Sequence, residues 1–99
     1  MDLHKLSDAF QSRVRLAVVA DLVTGSKTFK ELKEATAASD GNLSTHLSKL
    51  EELGLIRSTK SFLGKRPSSS YALTPKGREE FRRYVEMLAA ILESAEPEE

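Results

Sequence analysis

The spacing of the apolar residues changes character once within this chain and then changes back. From Phe29 to Leu53 they recur at three and four residues; between Leu55 and Leu73 the helical spacing gives way to alternation; beyond Thr74 the helical spacing returns. A helix repeats its inner face every 3.6 residues and a strand every 2.0, so neither element satisfies the whole pattern. The chain must therefore fold as helices interrupted by a single hairpin.

Local signals place the ends of these elements. Leu3, Leu6 and Phe10 mark a short amphipathic helix over residues 1–11. Ser12 is a cap for a second helix, over 12–24, that is apolar nearly all round and stops at Gly25. Thr28-Phe29-Lys30-Glu31 has the form of a capping box, in which hydroxyl and carboxylate each take the other residue's backbone amide. It opens a helix over 28–36 with Phe29, Leu32 and Ala35 or Thr36 inward. Ser39 then caps a helix over 39–53 with Leu43, Leu47, Leu50 and Leu53 as its inner stripe, closed by Gly54. Two short helices about three residues apart form a helix-turn-helix. The alternating segment, 55–73, reads as strands 55–63 and 68–73 about a turn Gly64-Lys65-Arg66-Pro67. Thr74-Pro75 starts the last helix, 75–94, with Phe81, Tyr84, Val85, Leu88, Ile91 and Leu92 as its stripe. Residues 95–99 are expected to be a frayed acidic tail. The expectation is one domain over 1–94, mainly α with a β-hairpin: a helix-turn-helix followed directly by a wing.

Several function classes lack their residues. The chain of 99 residues contains no cysteine, which removes disulfides, thiolate metal sites and cysteine nucleophiles. Its two histidines, His4 and His46, do not make a metal cluster, and neither a glycine-rich phosphate loop nor a nucleophile elbow is present. The pairs Glu51-Glu52 and Glu79-Glu80 are adjacent on helices and so diverge. No enzyme activity, metal or cofactor is expected. No apolar run approaches the ~20 residues that span a bilayer, and Met1-Asp2-Leu3-His4-Lys5 is unlike a signal peptide, so a soluble cytoplasmic protein is expected.

Charge is informative in its distribution. Fifteen basic residues balance fifteen acidic ones overall, yet residues 54–83 carry eight cations against Glu79 and Glu80, while 84–99 carry five glutamates and no cation. The basic segment coincides with the hairpin and the start of the last helix. Opposite the leucine stripe of 39–53 lie Gly41, Thr45 and Ser48, flanked by Asn42, Ser44 and Lys49. A major groove about 12 Å wide admits a helix with small polar or basic side chains on its outer face. Asn42 suits adenine, Thr45 a thymine methyl or a base acceptor, and Ser44 and Lys49 phosphates; Ser48 completes the face. His46 falls beside the stripe, where packing and contact with DNA are both open. Asp40 suits the helix dipole better than phosphate. Lys60, Lys65 and Arg66 can reach the backbone or an adjacent minor groove.

Ser39 to Ile56 resembles the recognition helix and first wing residues of bacterial and archaeal winged-helix regulators, including the MarR and ArsR groups. The chain is similar over nearly its whole length to the small stand-alone winged-helix transcriptional regulators. That wider resemblance adds Ser12-Arg13-Val14-Arg15-Leu16-Ala17, Phe29-Lys30-Glu31-Leu32-Lys33, Lys60 to Pro67, and Tyr71-Ala72-Leu73-Thr74-Pro75-Lys76-Gly77. It implies a homodimeric transcription factor bound to double-stranded DNA, with dimer contacts from the first and last helices. The candidates for that interface are Leu3, Leu6, Phe10, Tyr84, Leu88, Ile91 and Leu92. Such proteins often have a pocket for a small-molecule effector at the interface, but no residue here identifies one. Without cysteine, the metal sensing of the ArsR group does not carry over. The competing reading is a winged-helix module for protein assembly with no DNA ligand, which the neutral total charge favours and the basic wing disfavours.

Overall fold

The computed structural model describes residues 8–95. A 3-10 turn, Asp8–Phe10, leads into α1 (Arg13–Leu22), β1 (Lys27–Thr28), α2 (Phe29–Thr36), α3 (Asp40–Glu52), β2 (Ile56–Leu63), β3 (Arg66–Leu73) and α4 (Pro75–Ser94). The winged-helix architecture expected from the change of period is the one observed. Leu3 and Leu6 lie outside the described residues.

Each α-helix begins at a side chain that accepts a backbone amide. Ser12, Thr28, Ser39 and Thr74 take the N–H groups of Arg15, Glu31, Asn42 and Gly77. The capping box at Thr28 is complete, with the Thr28 amide donating to Glu31 Oε1 at 2.9 Å and the Glu31 amide to Thr28 Oγ1 at 3.1 Å. These bonds satisfy donors that a helix N-terminus otherwise leaves open. The turn between α2 and α3 is Ala37-Ala38-Ser39. Ala37 ends α2 at φ 57°, Ala38 is buried, and the buried Thr36 hydroxyl donates to the Leu32 carbonyl at 2.8 Å.

The core joins Val14, Val18, Val19 and Leu22 of α1, Leu32 of α2, the α3 leucines Leu43, Leu47 and Leu50, and the base of the wing at Leu55, Ile56 and Leu73. Helix α1 is less enclosed than its composition suggests, since Ala20 and the capping residue Val23 are exposed. Tyr71 packs between wing and core, where burial pushes its phenol up.

Two features depart from the sequence expectations. The sheet has three antiparallel strands in the order β1-β3-β2, because Lys27 and Thr28 pair with Tyr71 and Ser70. The hairpin turn has two residues, Gly64 and Lys65, since Leu63 pairs with Arg66 and Phe62 with Pro67. Gly64 takes φ 68°, the positive value a two-residue hairpin turn needs at its first position. Arg66 and Pro67 thus belong to β3 rather than to the turn.

Helix α4 is fastened to the end of α3. Thr74 Oγ1 donates to the Gly54 carbonyl at 2.6 Å, the Thr74 amide to the Leu55 carbonyl at 3.0 Å, and Lys76 Nζ to the Leu53 carbonyl at 2.9 Å. Gly77 lies so close to Leu55 that a Cβ there would fall on the Leu55 carbonyl group. Among the described residues, no helix is long and apolar enough to cross a membrane.

Candidate nucleic-acid interface

Helix α3 divides sharply into two faces. Leu43, Leu47 and Leu50 are at most 2% exposed, whereas Gly41, Asn42, Ser44, Thr45 and Ser48 are exposed. Burial of the leucines fixes the rotation of the helix, and so fixes which side chains face outward. Thr45 Oγ1 donates to the Gly41 carbonyl at 2.9 Å. Its hydroxyl proton is therefore engaged, leaving an oxygen lone pair and the methyl group for anything that approaches. A Cβ on Gly41 would meet no atom of the chain within 4 Å. The fold itself does not require glycine there.

His46 and Lys49 are half-buried. Desolvation, and then the charge of Arg15 on α1, hold the His46 imidazole below its ordinary pKa of 6.5. Its setting is thus that of a residue packed at the edge of the core. Lys49 lies 3.9 Å from Glu52, a loose pair that leaves the ammonium able to exchange partners. Asp40, in the first turn of α3, is held by Lys33 of α2 at 2.7 Å, and so complements both a helix dipole and a lysine.

The wing carries Lys60, Lys65 and Arg66, all exposed. Not every cation of the basic segment is so free. Arg82 bridges Glu79 and Glu86 along α4, and Arg83 pairs with Glu79 at 3.3 Å. Of the charge in that segment outside these ion pairs, most lies in the hairpin, at Arg57, Lys60, Lys65 and Arg66, with Arg78 of α4 also exposed. Two cations that sequence reasoning alone does not single out, Lys30 and Lys33, line a shallow cleft with Glu34, Ala37 and Ala38 beside the start of α3. Their positions follow from the wheel of α2 once Leu32 is set inward.

The dimer candidates separate into two groups. Phe10 is 5% exposed and packs on Tyr84 and Phe81 of its own chain, with ring centroids 4.9 and 5.8 Å apart. Within one chain, Phe10 is thus an anchor for the base of α4. Further along α4, Val85, Leu88 and Leu92 are 46%, 44% and 76% exposed, with Ile91 half-buried. Among the described residues, no group of three histidine, cysteine or carboxylate side chains could hold a metal ion.

A model of the winged helix DNA-binding domain matches residues 14–92. An uncharacterised protein of Methanocaldococcus jannaschii is 40% identical over 78 residues, which cover 77% of this chain and 84% of that protein. Among solved structures, a transcriptional regulator homologue from Pyrococcus horikoshii superposes with a TM-score of 0.82 at 26% identity, over 92% of this chain and 91% of that one. YodB from Bacillus subtilis superposes with a TM-score of 0.76 at 26% identity, over 90% and 88% of the two chains.

Proposed function

The chain belongs to the winged helix DNA-binding domain family, and from that premise we propose that it is a sequence-specific transcriptional regulator that binds double-stranded DNA as a homodimer. The observation that carries this reading is the division of α3, whose leucines are buried and whose outward face over residues 41–48 offers small uncharged side chains, with the carboxylates Glu51 and Glu52 at its far end. In this reading α3 enters the major groove. Asn42, Thr45 and Ser48 face base edges, Ser44 and Lys49 face phosphates, and His46 packs at the rim. Lys60, Lys65 and Arg66 hold the backbone or minor groove beside it. Leu88, Ile91 and Leu92 meet a second subunit, with Tyr84 at the edge of that contact and Leu3 and Leu6 of the N-terminal segment added to it; Phe10, buried against Phe81 and Tyr84, stays within its own chain. The reading assigns the chain no catalytic step.

Selection of bound sequences from random duplexes, followed by fluorescence anisotropy at two salt concentrations, tests the proposal. Binding should weaken steeply with salt, because each neutralised phosphate releases counterion. Replacing Lys65 and Arg66 with alanine should weaken binding to all sequences alike and reduce the salt slope of the dimer by about 4, about one for each of the two cations lost from each subunit. Changes at Asn42 or Thr45 should instead alter which sequences are selected. Failure to bind any duplex at low salt would overturn the reading, and a stable hetero-complex covering residues 42–49 would put the assembly module in its place.

A further inference from the structure

The tip of the wing carries two large apolar side chains that the described chain leaves uncovered: Phe62 is 71% exposed and Leu63 70%. Register explains how they lie. Phe62 pairs with Pro67 and shares a face with Ile56 and Leu73, which are buried at the base of the hairpin. Leu63 pairs with Arg66 on the opposite face. Six residues of strand, about 20 Å, separate Phe62 from Ile56. The face that Ile56 buries at the base of β2 carries exposed Ser58 and Lys60 and turns apolar again only at Phe62, well past the end of the core, where no described residue covers it.

The tip is consequently apolar on both faces. A hairpin laid on a flat surface buries only one of them; both are covered only when the tip enters a cleft between two walls. The charge around it has a single sign. Lys60 shares the face of Phe62, Lys65 lies in the turn, Arg66 is opposite Leu63, and no acidic residue occurs between Glu52 and Glu79. The cleft it suits therefore has anionic rims and less polar walls. The minor groove of duplex DNA, with phosphate rims and deoxyribose walls, has that chemistry but is only about 6 Å wide. Two paired strands are already about 4.8 Å apart before any side chain is added. The tip fits only if the groove opens.

We propose that the wing tip is a wedge that enters the minor groove beside the site of α3, where Phe62 and Leu63 part the groove walls and bend the duplex while Lys60, Lys65 and Arg66 hold the phosphates. This rests on the DNA-binding reading above and adds deformation to it. It also supplies a source of sequence preference, since pyrimidine–purine steps unstack most easily.

The test uses the full chain and the duplex recovered by selection with the wild-type protein, labelled at its two ends with a donor and an acceptor dye. Wild-type binding should shorten the end-to-end distance as a bend of about 20–90° would. The Phe62→Ser/Leu63→Ser variant should bind the same duplex with affinity reduced about tenfold or less but leave it straight, because the closer fit that bending allows and the cost of unstacking largely offset each other. Both side chains are exposed, so an unchanged thermal midpoint should show that the variant folds. A wild-type complex with straight DNA, or a variant that bends DNA as the wild type does, would overturn the wedge and leave the DNA-binding reading standing. Absence of any duplex binding would remove both. Capture of the wild type on phosphatidylglycerol vesicles, lost in the variant, together with a straight duplex complex, would show that the tip serves a membrane instead.

Discussion

A Cβ added at Gly41 would meet empty space, whereas one added at Gly77 would fall on the Leu55 carbonyl. The two glycines therefore answer to different constraints. Alanine at Gly77 forces α4 away from the end of α3 and should destabilise the protein by about 1–3 kcal/mol in urea unfolding, as overpacking does. Alanine at Gly41 improves helix propensity and should stabilise by about 0.5–1 kcal/mol, yet weaken binding to the selected duplex in the same preparation, because it adds bulk to the face offered to DNA. A Gly41→Ala protein that is more stable and binds unchanged would show that the face is not approached closely there. His46 makes a prediction in pH. Its folded pKa is lowered, so between that value and the ordinary 6.5 the unfolded chain binds more protons than the folded one. Stability should be level above pH 6.5 and fall as pH drops through the folded pKa; urea midpoints at pH 7.5 and 5.5 should differ less in His46→Gln. The exposure of Asn42, Ser44, Thr45 and Ser48 was legible in the sequence, because buried leucines at helical spacing leave no other rotation. The half-burial of His46 was only one of two readings open there, because it depends on packing against another part of the chain, as the charge of Arg15 on α1 acting on its imidazole reflects.

At the scale of elements, legibility follows the range of the interactions that define each one. The four helix starts are set by a side chain and an amide three residues on, so Ser12, Thr28, Ser39 and Thr74 announce them locally. Strand β1 has no such signal: two residues cannot show alternation, and Lys27 and Thr28 become a strand only by pairing with residues more than forty positions away. Pro67 misleads for another reason, since proline is usually kept out of strands and so reads as part of the turn. Leu63 and Arg66 close a two-residue turn and form a hydrogen-bonded pair, so the next pair, Phe62 and Pro67, exchanges no ladder bonds. The nitrogen of Pro67 then points away from β2, on a side that β1 does not reach, and no donor is missed. The end of α2 carries a small strain that the sequence also concealed. Ala37 holds φ 57°, where an L-residue is disfavoured and glycine is not. Ala37→Gly should accordingly raise stability by up to about 1 kcal/mol in urea unfolding, a gain reduced by the extra freedom of glycine in the unfolded chain. A loss of stability would mean that the left-handed turn costs less than that freedom.

For the whole molecule, the decisive feature is that α4 is fastened at one end and bare at the other. Thr74, Lys76 and Gly77 lock its start to Leu53, Gly54 and Leu55, directly after α3, and Phe10 covers Phe81 and Tyr84. From Val85 onward the described residues leave much of the stripe uncovered, with Val85, Leu88 and Leu92 exposed and Ile91 half-buried. Pairing of two such helices would bury that stripe and, through the fastened ends, set the separation of the two α3 helices; half-sites on DNA then recur at about 34 Å. The glutamate pair Leu88→Glu/Leu92→Glu isolates this step. Both positions are already exposed in a single chain, so a protein that works as a monomer should tolerate the change within about 0.5 kcal/mol, the range of ordinary surface substitutions. A protein that works as a dimer should instead sediment as a monomer, unfold at a midpoint that no longer rises with concentration, and lose most of its affinity for a two-half-site duplex while keeping its weak affinity for a single half-site. The last comparison separates dimer loss from damage to the DNA-binding face, because each monomer still presents α3 and the wing intact. Unchanged sedimentation at the monomer mass in both proteins would leave the bare stripe without a partner and remove the homodimer from the proposed function.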